Sequence, residues 1–533
     1  MKQNDFIGTG TLLRFILRRD RFLLPIWILL PLLLSVATAG SAMAYQNIQE
    51  FITELTANPM ITSILGPFMS QTVAGVVVWR ATGQTVLIVG IASLLTVIRH
   101  TRTEEETGRS ELIRAYVTGR FSALTAAMIL TCSANLFAGL LLALGLIGMG
   151  QPIPGSFIFG FTIAFAGIFF AGIGALCAQL RVNAGSAKGM AFTVVGAGIL
   201  LLILNNGGGG YTGWAWIAPM AWHRLTQPFA GNNVWVFIYF LALSAIPALL
   251  AYYLSTRRDL GAGILTERSG PEKAAPELKS CFALAWRLHK GAAIGWLAGI
   301  VAFGAAIGGI VQSVSDTEGI SDLLGNLGGL NWMAEVGNRD AFMGIMIYIL
   351  SLAISLYAIT AILRLQKEET DNRAEVLLAQ PISRIRWMGS HILVTMLTTC
   401  ILLLALGLSA GTVYGLTVND LGGTLPRVLG MCLSKIPVVW IMAGLATLFF
   451  SFLPRISAYL CWGIWALFAI IEFAWEGQIV SWSIMQLTPF AYAHYTIPIA
   501  SLPVMPLILL CILTVLFVGV GLWRTSCRSI GVK

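Results

Sequence analysis

Long apolar runs separated by short polar stretches are the main pattern of this sequence. A helix needs about 20 apolar residues to cross the hydrocarbon core of a bilayer, and runs of that length recur along the chain. The pattern predicts an all-α polytopic membrane protein. This length criterion predicts about twelve spans, numbered one to twelve in chain order, at residues 22–44, 76–98, 121–149, 157–178, 189–205, 234–254, 291–313, 341–363, 388–416, 429–452, 457–475 and 503–523.

The composition agrees with this pattern and excludes other classes of protein. Of the 533 residues, 57% are hydrophobic and only 11% are charged, whereas about 25% are charged in a soluble domain. A water-soluble protein of this length could not bury so much apolar surface. A soluble enzyme, a disordered protein and a nucleic-acid-binding protein are therefore excluded, despite a pI near 9.2. The composition predicts a lipid bilayer as the surroundings of the chain.

The basic residues are distributed unevenly between the two sides that the spans define. If the N-terminus is cytoplasmic, 28 of the 33 Lys and Arg residues fall on the cytoplasmic side. An excess of basic residues marks the cytoplasmic side of a membrane protein. We therefore expect a multi-pass protein with both termini in the cytoplasm. The net charge of +9 follows from this orientation rather than from an anionic ligand.

The chain contains two copies of a six-span unit. Glu105-Glu106-Thr107 recurs as Glu368-Glu369-Thr370, and Arg109-Ser110-Glu111-Leu112 recurs as Arg373-Ala374-Glu375-Val376. Because six is an even number, both copies face the same way, which is the parallel type of transporter repeat. The predicted organisation is a first six-span half at 1–255, a cytoplasmic linker at 256–280 and a second six-span half at 281–533.

Each half carries an amphipathic segment directly after its second span. In the first half the apolar residues of this segment share one helical face, and they are Leu112, Ile113, Tyr116 and Val117. Glu104–Glu106 are expected in the first turn of this helix or just ahead of it, where acidic side chains interact favourably with the helix dipole. The second copy has Val376, Leu377 and Leu378 and stops at Pro381. Two matched helices on one side suit docking to a two-fold partner.

The pattern Glu-Glu-Thr-Gly-Arg-x-Glu-Leu at 105–112, followed by Gly-Arg at 119–120, resembles that of type-2 ATP-binding-cassette exporter permeases. The resemblance is closest to their double-length branch, called exporters of polyketide antibiotics. In the second copy Asp371-Asn372 replaces the glycine before Arg373. In that family the segment is a coupling helix that receives motion from an ATPase subunit. The resemblance implies a coupling role for Glu105, Glu106, Arg109, Glu111, Leu112 and Arg120 in the first half, and for Glu368, Glu369, Arg373, Glu375, Val376 and Arg384 in the second.

The same resemblance implies the permease subunit of an ATP-driven exporter of hydrophobic or amphipathic compounds, such as drugs or antibiotics, in a prokaryotic inner membrane. A phosphate-binding loop requires GxxxxGK[ST], and this chain has no Gly-Lys dipeptide. We therefore expect the chain to have no enzymatic activity and no cofactor of its own. ATP and Mg²⁺ are expected on a separate cytoplasmic ATP-binding-cassette ATPase that docks as a dimer.

Two other classes of function fit the sequence less well. A secondary drug:proton antiporter can also have twelve spans in parallel halves, but the loop after span two lacks the Asp-Arg start of its commonest family. A proton relay also needs a deep carboxylate, and the predicted spans show none near the middle of the membrane. A membrane-embedded enzyme would need converging His, Asp, Glu or nucleophilic residues at a span boundary, and the sequence shows no such cluster.

A few polar and aromatic residues in or near the spans are further candidates. Arg80 and Gln84 in span two are candidates for the substrate pathway. Lys435 and Glu472 are expected near the outer interface, where a long side chain can reach water. The tryptophans of the stretch before span six are expected in an interfacial aromatic belt, and they are Trp214, Trp216 and Trp222. His223 and His494 have no acidic or cysteine neighbour in the sequence, so no metal site is expected at either of them.

Overall fold

The computed structural model describes residues 3–43, 48–49, 52–53, 66–114, 118–207, 209–259, 261–265, 278–311, 338–476, 480–494 and 504–528. The chain divides into two compact units, Met1–Gly270 and Pro271–Lys533. Their boundary falls inside the polar stretch that separates spans six and seven in the sequence.

Helices occupy every predicted span of the first unit. They are Leu23–Met43, Val73–Ile98, Ser122–Gly148, Ile153–Leu180, Ala184–Gly207 and Val236–Arg257. The unit also contains a helix that the sequence analysis did not predict, Thr9–Arg19, which packs against span three. Shorter helical turns lie at Gln3–Phe6, Arg109–Arg114, Trp214–Ile217, Pro219–Ala221 and His223–Thr226.

The second unit repeats this order. Its span helices are Cys281–Ile310, Asn338–Thr370, Arg384–Thr417, Leu421–Leu433 with Ile436–Phe452, Ser457–Glu476 and Val504–Cys527. Span ten is thus divided into two helices, with the break at Ser434 and Lys435. Shorter helices lie at Arg373–Leu378, Trp482–Met485 and Ala491–His494.

The described residues contain eleven helices long and apolar enough to cross a membrane, and Ser457–Glu472 is a further, shorter apolar helix. The part of the chain that the structure describes contains no strand. The prediction of an all-α polytopic membrane protein is therefore confirmed.

Small residues allow the spans of each unit to pack closely. Span four packs against spans two, three and six. At its contact with span three, a Cβ atom on Gly160 would collide with the carbonyl oxygen of Gly139, and the reverse is also true. In the second unit span seven packs on span nine in the same way, with Gly308 against the Ala410 carbonyl. Close backbone approach through small residues is typical of helices that associate in a bilayer.

This packing makes a prediction for Gly160. A Gly160→Val variant should separate spans three and four and destabilise the first unit by about 3 kcal/mol, the upper end of the usual effect of overpacking. The midpoint of heat-induced aggregation in detergent measures the change. Gly189→Val is the matched control, because a Cβ atom there meets nothing within 4 Å. Equal midpoints for the two variants would contradict the role of the Gly139–Gly160 contact.

Candidate functional site

The candidate site lies at one end of each unit, where the second and sixth spans of the unit finish and its third span begins. We call this the basic end. In the first unit the span-two helix does not stop at Ile98 but continues through a π-helical turn, Arg99–Thr103, to Glu106. Glu104–Glu106 therefore lie at the C-terminal end of span two. Of the two expected positions, the first turn of the next helix is wrong and the one just ahead of that helix is found, because the polar residues after Ile98 extend span two instead of ending it.

Each copy of the motif reverses the chain at one residue in the left-handed backbone region. This residue is Gly108 in the first unit, with φ of 72°, and Asn372 in the second, with φ of 57°. A left-handed residue is the usual end of a helix, and glycine and asparagine adopt it most readily. The asparagine thus replaces the glycine with the same backbone conformation, and the second short helix begins at Arg373.

The two short helices expose an apolar side chain at matching positions. Leu112 on Arg109–Arg114 is 71% exposed, and Val376 on Arg373–Leu378 is 72% exposed. Glu111 and Glu375, one residue earlier in each copy, are exposed as well. Of the predicted apolar face, the Ile113 side chain and residues Tyr116 and Val117 lie outside the described part of the chain.

Glu105 holds the end of span two against the residues that follow span six. Its carboxylate accepts two hydrogen bonds from the Arg258 guanidinium, at 2.6 and 2.7 Å, and one from Arg102 at 2.7 Å. All three side chains are at least nine-tenths buried. Arg102 also donates to the carbonyls of Gly261 at 2.7 Å and Ala262 at 2.9 Å. A carboxylate at a helix C-terminus is unfavourable for the helix dipole, and these arginines offset that effect.

The neighbouring acids contact two further elements. Glu104 pairs with Arg19 at 2.5 Å, at the end of the helix Thr9–Arg19, and lies 3.8 Å from Arg109. Glu106 accepts a hydrogen bond of 2.9 Å from the backbone N–H of Ala184, the first residue of span five. An acid at that position interacts favourably with the N-terminal end of a helix.

The second unit repeats this arrangement with different residues. Glu368 is buried and pairs with Arg373 at 2.9 Å and with Arg364 at 3.6 Å. Glu369 pairs with Arg528, which directly follows span twelve, and both side chains are about nine-tenths buried. Burial lowers the pKa of the Arg528 guanidinium, and the neighbouring Glu369 carboxylate raises it again in part. The repeat aligns Glu369 with Glu106, yet the partner that follows the sixth span of the unit is bound by Glu105 in one copy and Glu369 in the other.

Arg120 and Arg384, which follow the short helices, donate to the same two span ends. Arg120 donates to the carbonyl oxygen of Ser255 at 2.8 Å and that of Arg258 at 3.3 Å. Arg384 donates to the carbonyl oxygen of Ser526 at 3.3 Å and to that of Arg528. In both units the end of the sixth span is therefore bound through its carbonyl oxygens by one arginine, and the arginine that directly follows the span binds a carboxylate.

The predicted coupling residues thus divide into two groups. Six belong to the short helices and are exposed, namely Arg109, Glu111, Leu112, Arg373, Glu375 and Val376. The others, Glu105, Glu106, Arg120, Glu368, Glu369 and Arg384, bind residues of their own unit. Arg109 and Arg373 of the first group also pair with a glutamate of their own unit. The sequence motif gives Arg102, Arg258 and Arg528 no role, and for Glu104 it predicts only an interaction with the helix dipole. The available signal is an arginine directly after the sixth span of each half, which by itself also fits the excess of basic residues on the cytoplasmic side.

The N-terminal helix is joined to the same end of the first unit by a buried contact. Asp20, just after Arg19, lies 2.5 Å from the His100 Nε2 atom and 3.1 Å from the Arg99 Nη1 atom. Both partners belong to the π-helical turn of span two. A cavity of about 70 Å³ lies beside this contact, with Arg19, Glu104, Glu105, Arg120 and Arg258 in its wall.

The candidate residues inside the spans differ from expectation. Lys435 and Glu472 are buried, so the expected access of these side chains to water at the interface is wrong. Lys435 lies at the break in span ten and is fully buried. Arg80 and Gln84 are one helical turn apart on span two and are both exposed in the unit.

The stretch before span six folds onto the first unit. Trp222 is fully buried and stacks on Phe240 with 4.1 Å between ring centroids, so its expected place in an aromatic belt is wrong. Trp214 and Trp216 are exposed. His223 and Arg224 are buried beside Trp222. Arg224 donates to the Pro67 carbonyl, and burial lowers its pKa to about 10.

Burial also lowers the pKa of His223 well below 6.5, and the neighbouring Arg224 charge adds to this effect. The folded state therefore holds a neutral imidazole, which becomes unfavourable once the unfolded chain binds a proton, below its pKa of about 6.5. We expect the thermal stability of the protein to fall as the pH is lowered from 7 to 5. His223→Gln should reduce this pH dependence, measured by midpoints of heat-induced aggregation across the range. If the midpoint of the variant falls with pH as steeply as that of the original protein, His223 is not the source of the pH dependence.

Two sets of membrane-spanning helices in the same chain order, each with an exposed short helix after its second span, are typical of a transport permease. The sequence family described as the C-terminal domain of the multidrug efflux system permease Rv1217c matches residues 278–524. The chain is also 34% identical over 501 residues to the multidrug efflux system permease protein Rv1217c of Mycobacterium tuberculosis, covering 92% of this chain and 89% of that protein. The chain therefore belongs to this family of multidrug efflux system permeases, and the resemblance found in the sequence is confirmed.

Proposed function

We propose that this chain is the membrane subunit of an ATP-driven exporter of hydrophobic or amphipathic compounds, powered by a separate ATPase that docks on the two short helices. The basic ends then face the cytoplasm of a prokaryotic cell, and both termini lie on that side of the inner membrane. The name of the Mycobacterium tuberculosis relative, a multidrug efflux system permease, supports drugs as the class of cargo.

The observation that carries this proposal is the matched exposure of Leu112 and Val376. Each is a large apolar side chain more than two-thirds exposed, beside an exposed glutamate, on a helix of six residues. One exposed apolar residue alone would be ordinary, but its recurrence at the matching position of both copies favours contact with a partner, whose interface would have an apolar centre and a polar rim. Each short helix directly follows a span end fixed by buried ion pairs. Because the span end is held rigidly, a displacement of the short helix by a partner would move the span as well.

The energy source is proposed to be a partner because the chain has no phosphate-binding loop of its own. ATP and Mg²⁺ then bind to the ATPase. A dimer of that subunit would offer one docking surface to each short helix, so both helices can be engaged at once.

Purification in mild detergent from the native host tests this function. We expect a subunit of roughly 30 kDa with a phosphate-binding loop to accompany the chain, and lipophilic compounds to change its rate of ATP hydrolysis. If the chain is purified alone and transports drugs in vesicles with only a proton gradient, the ATP-driven function is wrong and the antiporter is correct.

A further inference from the structure

We propose that Arg258 and Arg528 are positioning residues that make the sixth span of each unit move with the short helix of that unit. We call this short helix the docking helix; it is Arg109–Arg114 in the first unit and Arg373–Leu378 in the second. This inference rests on the proposed function and adds the route by which the motion leaves the docking helix. It concerns residues that the sequence motif does not include.

Chain connectivity alone links the docking helix to only two spans. In the first unit the helix of span two runs without interruption to Glu106, two residues before the turn at Gly108. Span three begins at Ser122, shortly after the docking helix Arg109–Arg114. Span six is far away in the sequence and shares no backbone with this segment, so its movement needs a direct contact.

The Arg258 guanidinium provides this contact. Its two terminal nitrogens bind both carboxylate oxygens of Glu105, and its Nε atom donates to Gln179 at the end of span four, at 2.7 Å. A bidentate pair between an arginine and a carboxylate fixes orientation as well as distance. Arg120 adds a second link, since it holds the Ser255 carbonyl at the end of span six. The end of span six is thus bound by a residue that precedes the docking helix in the chain, Glu105, and by one that follows it, Arg120.

The second unit contains the same link, formed by residues at other positions of the repeat. Arg528 binds Glu369, and its guanidinium also lies 5.0 Å from the centre of the Phe450 ring on span ten. Arg384 holds the carbonyl of Ser526 at the end of span twelve. The Arg528 link is a single contact instead of a bidentate pair, but it joins the same two span ends, and its acidic partner lies at a different position of the repeat. A link that persists while its residues change indicates a role in the working of the unit, beyond neutralising one particular acid.

Neutral and charge-swapped variants test the role. Arg258→Met leaves Glu105 paired with Arg102, and Glu369→Gln with Arg528→Met removes both charges of the second pair, so neither variant strands a buried charge. Glu369→Arg with Arg528→Glu keeps the second pair with its charges reversed. Arg257→Met is the matched control, because Arg257 precedes Arg258 but is exposed. Each permease is reconstituted with the co-purified ATPase, and drug transport and ATP hydrolysis are both measured.

We expect the neutral variants to bind the ATPase and hydrolyse ATP like the original protein while drug transport per ATP falls about tenfold, within the usual range for coupled sites. The charge swap should restore most of the transport, and Arg257→Met should change nothing. Unchanged transport per ATP in Arg258→Met, or equal losses of hydrolysis and transport, would overturn the positioning role. If the original protein binds no ATPase, the proposed function itself fails, which is a different result.

Discussion

Reversal of charge at Glu111 and Glu375 together should abolish transport that depends on the ATPase and leave the protein folded in the membrane. Both side chains are exposed, and neither takes part in the ion pairs described above for the basic end, so Glu111→Lys with Glu375→Lys leaves those pairs intact. At a docking surface, a like charge against the partner costs several kcal/mol. If both helices are engaged together, as proposed, the two penalties act on one binding event.

The measurements are ATPase co-purification and drug transport by the reconstituted complex. Each single variant should co-purify with less ATPase than the original protein, and the double variant should co-purify with almost none. Asp259→Lys is the control, since Asp259 is exposed at the same end and undergoes the same change of charge outside the short helices. Full transport by the double variant would show that the ATPase does not dock on these helices.

The spans could be predicted from the sequence because length and hydropathy are local properties of the chain. Helices occupy all twelve predicted runs, although one of them has a shorter apolar part. The ends were harder to predict. Arg99–Thr103 is polar and lies beyond the predicted end of span two at residue 98, whereas it forms a π-helical turn that prolongs this span. Its polar side chains are satisfied by partners such as Asp20 and Val182, which lie about 80 residues away.

The candidate site was only half visible for the same reason. Leu112 and Val376 stand out as apolar residues in a charged segment, and both are exposed. The role of Glu105 depends on Arg258, a residue 153 positions further along the chain, and no spacing rule joins the two. Lys435 and Trp222 show the same effect, because packing within their units buries residues whose sequence position suggested an interface.

The buried pairs make a second strong prediction, on stability rather than docking. Glu105→Gln removes the carboxylate that two buried guanidiniums share. Loss of one partner from a buried ion pair costs 3–5 kcal/mol because the remaining charge stays desolvated. Arg102 and Arg258 keep their bonds to the backbone carbonyl of Ala262, so we expect the lower end of that range, about 3 kcal/mol.

The midpoint of heat-induced aggregation in detergent reports this loss, with Glu111→Gln as the matched control. Glu111 undergoes the same change of charge but is exposed, so its effect should stay within about 0.5 kcal/mol. Addition of Arg258→Met to Glu105→Gln should recover part of the stability, because it removes one of the two charges left unpaired. A Glu105→Gln variant as stable as Glu111→Gln would show that the basic end does not depend on this carboxylate, and the rigid support of the docking helix would then need another origin.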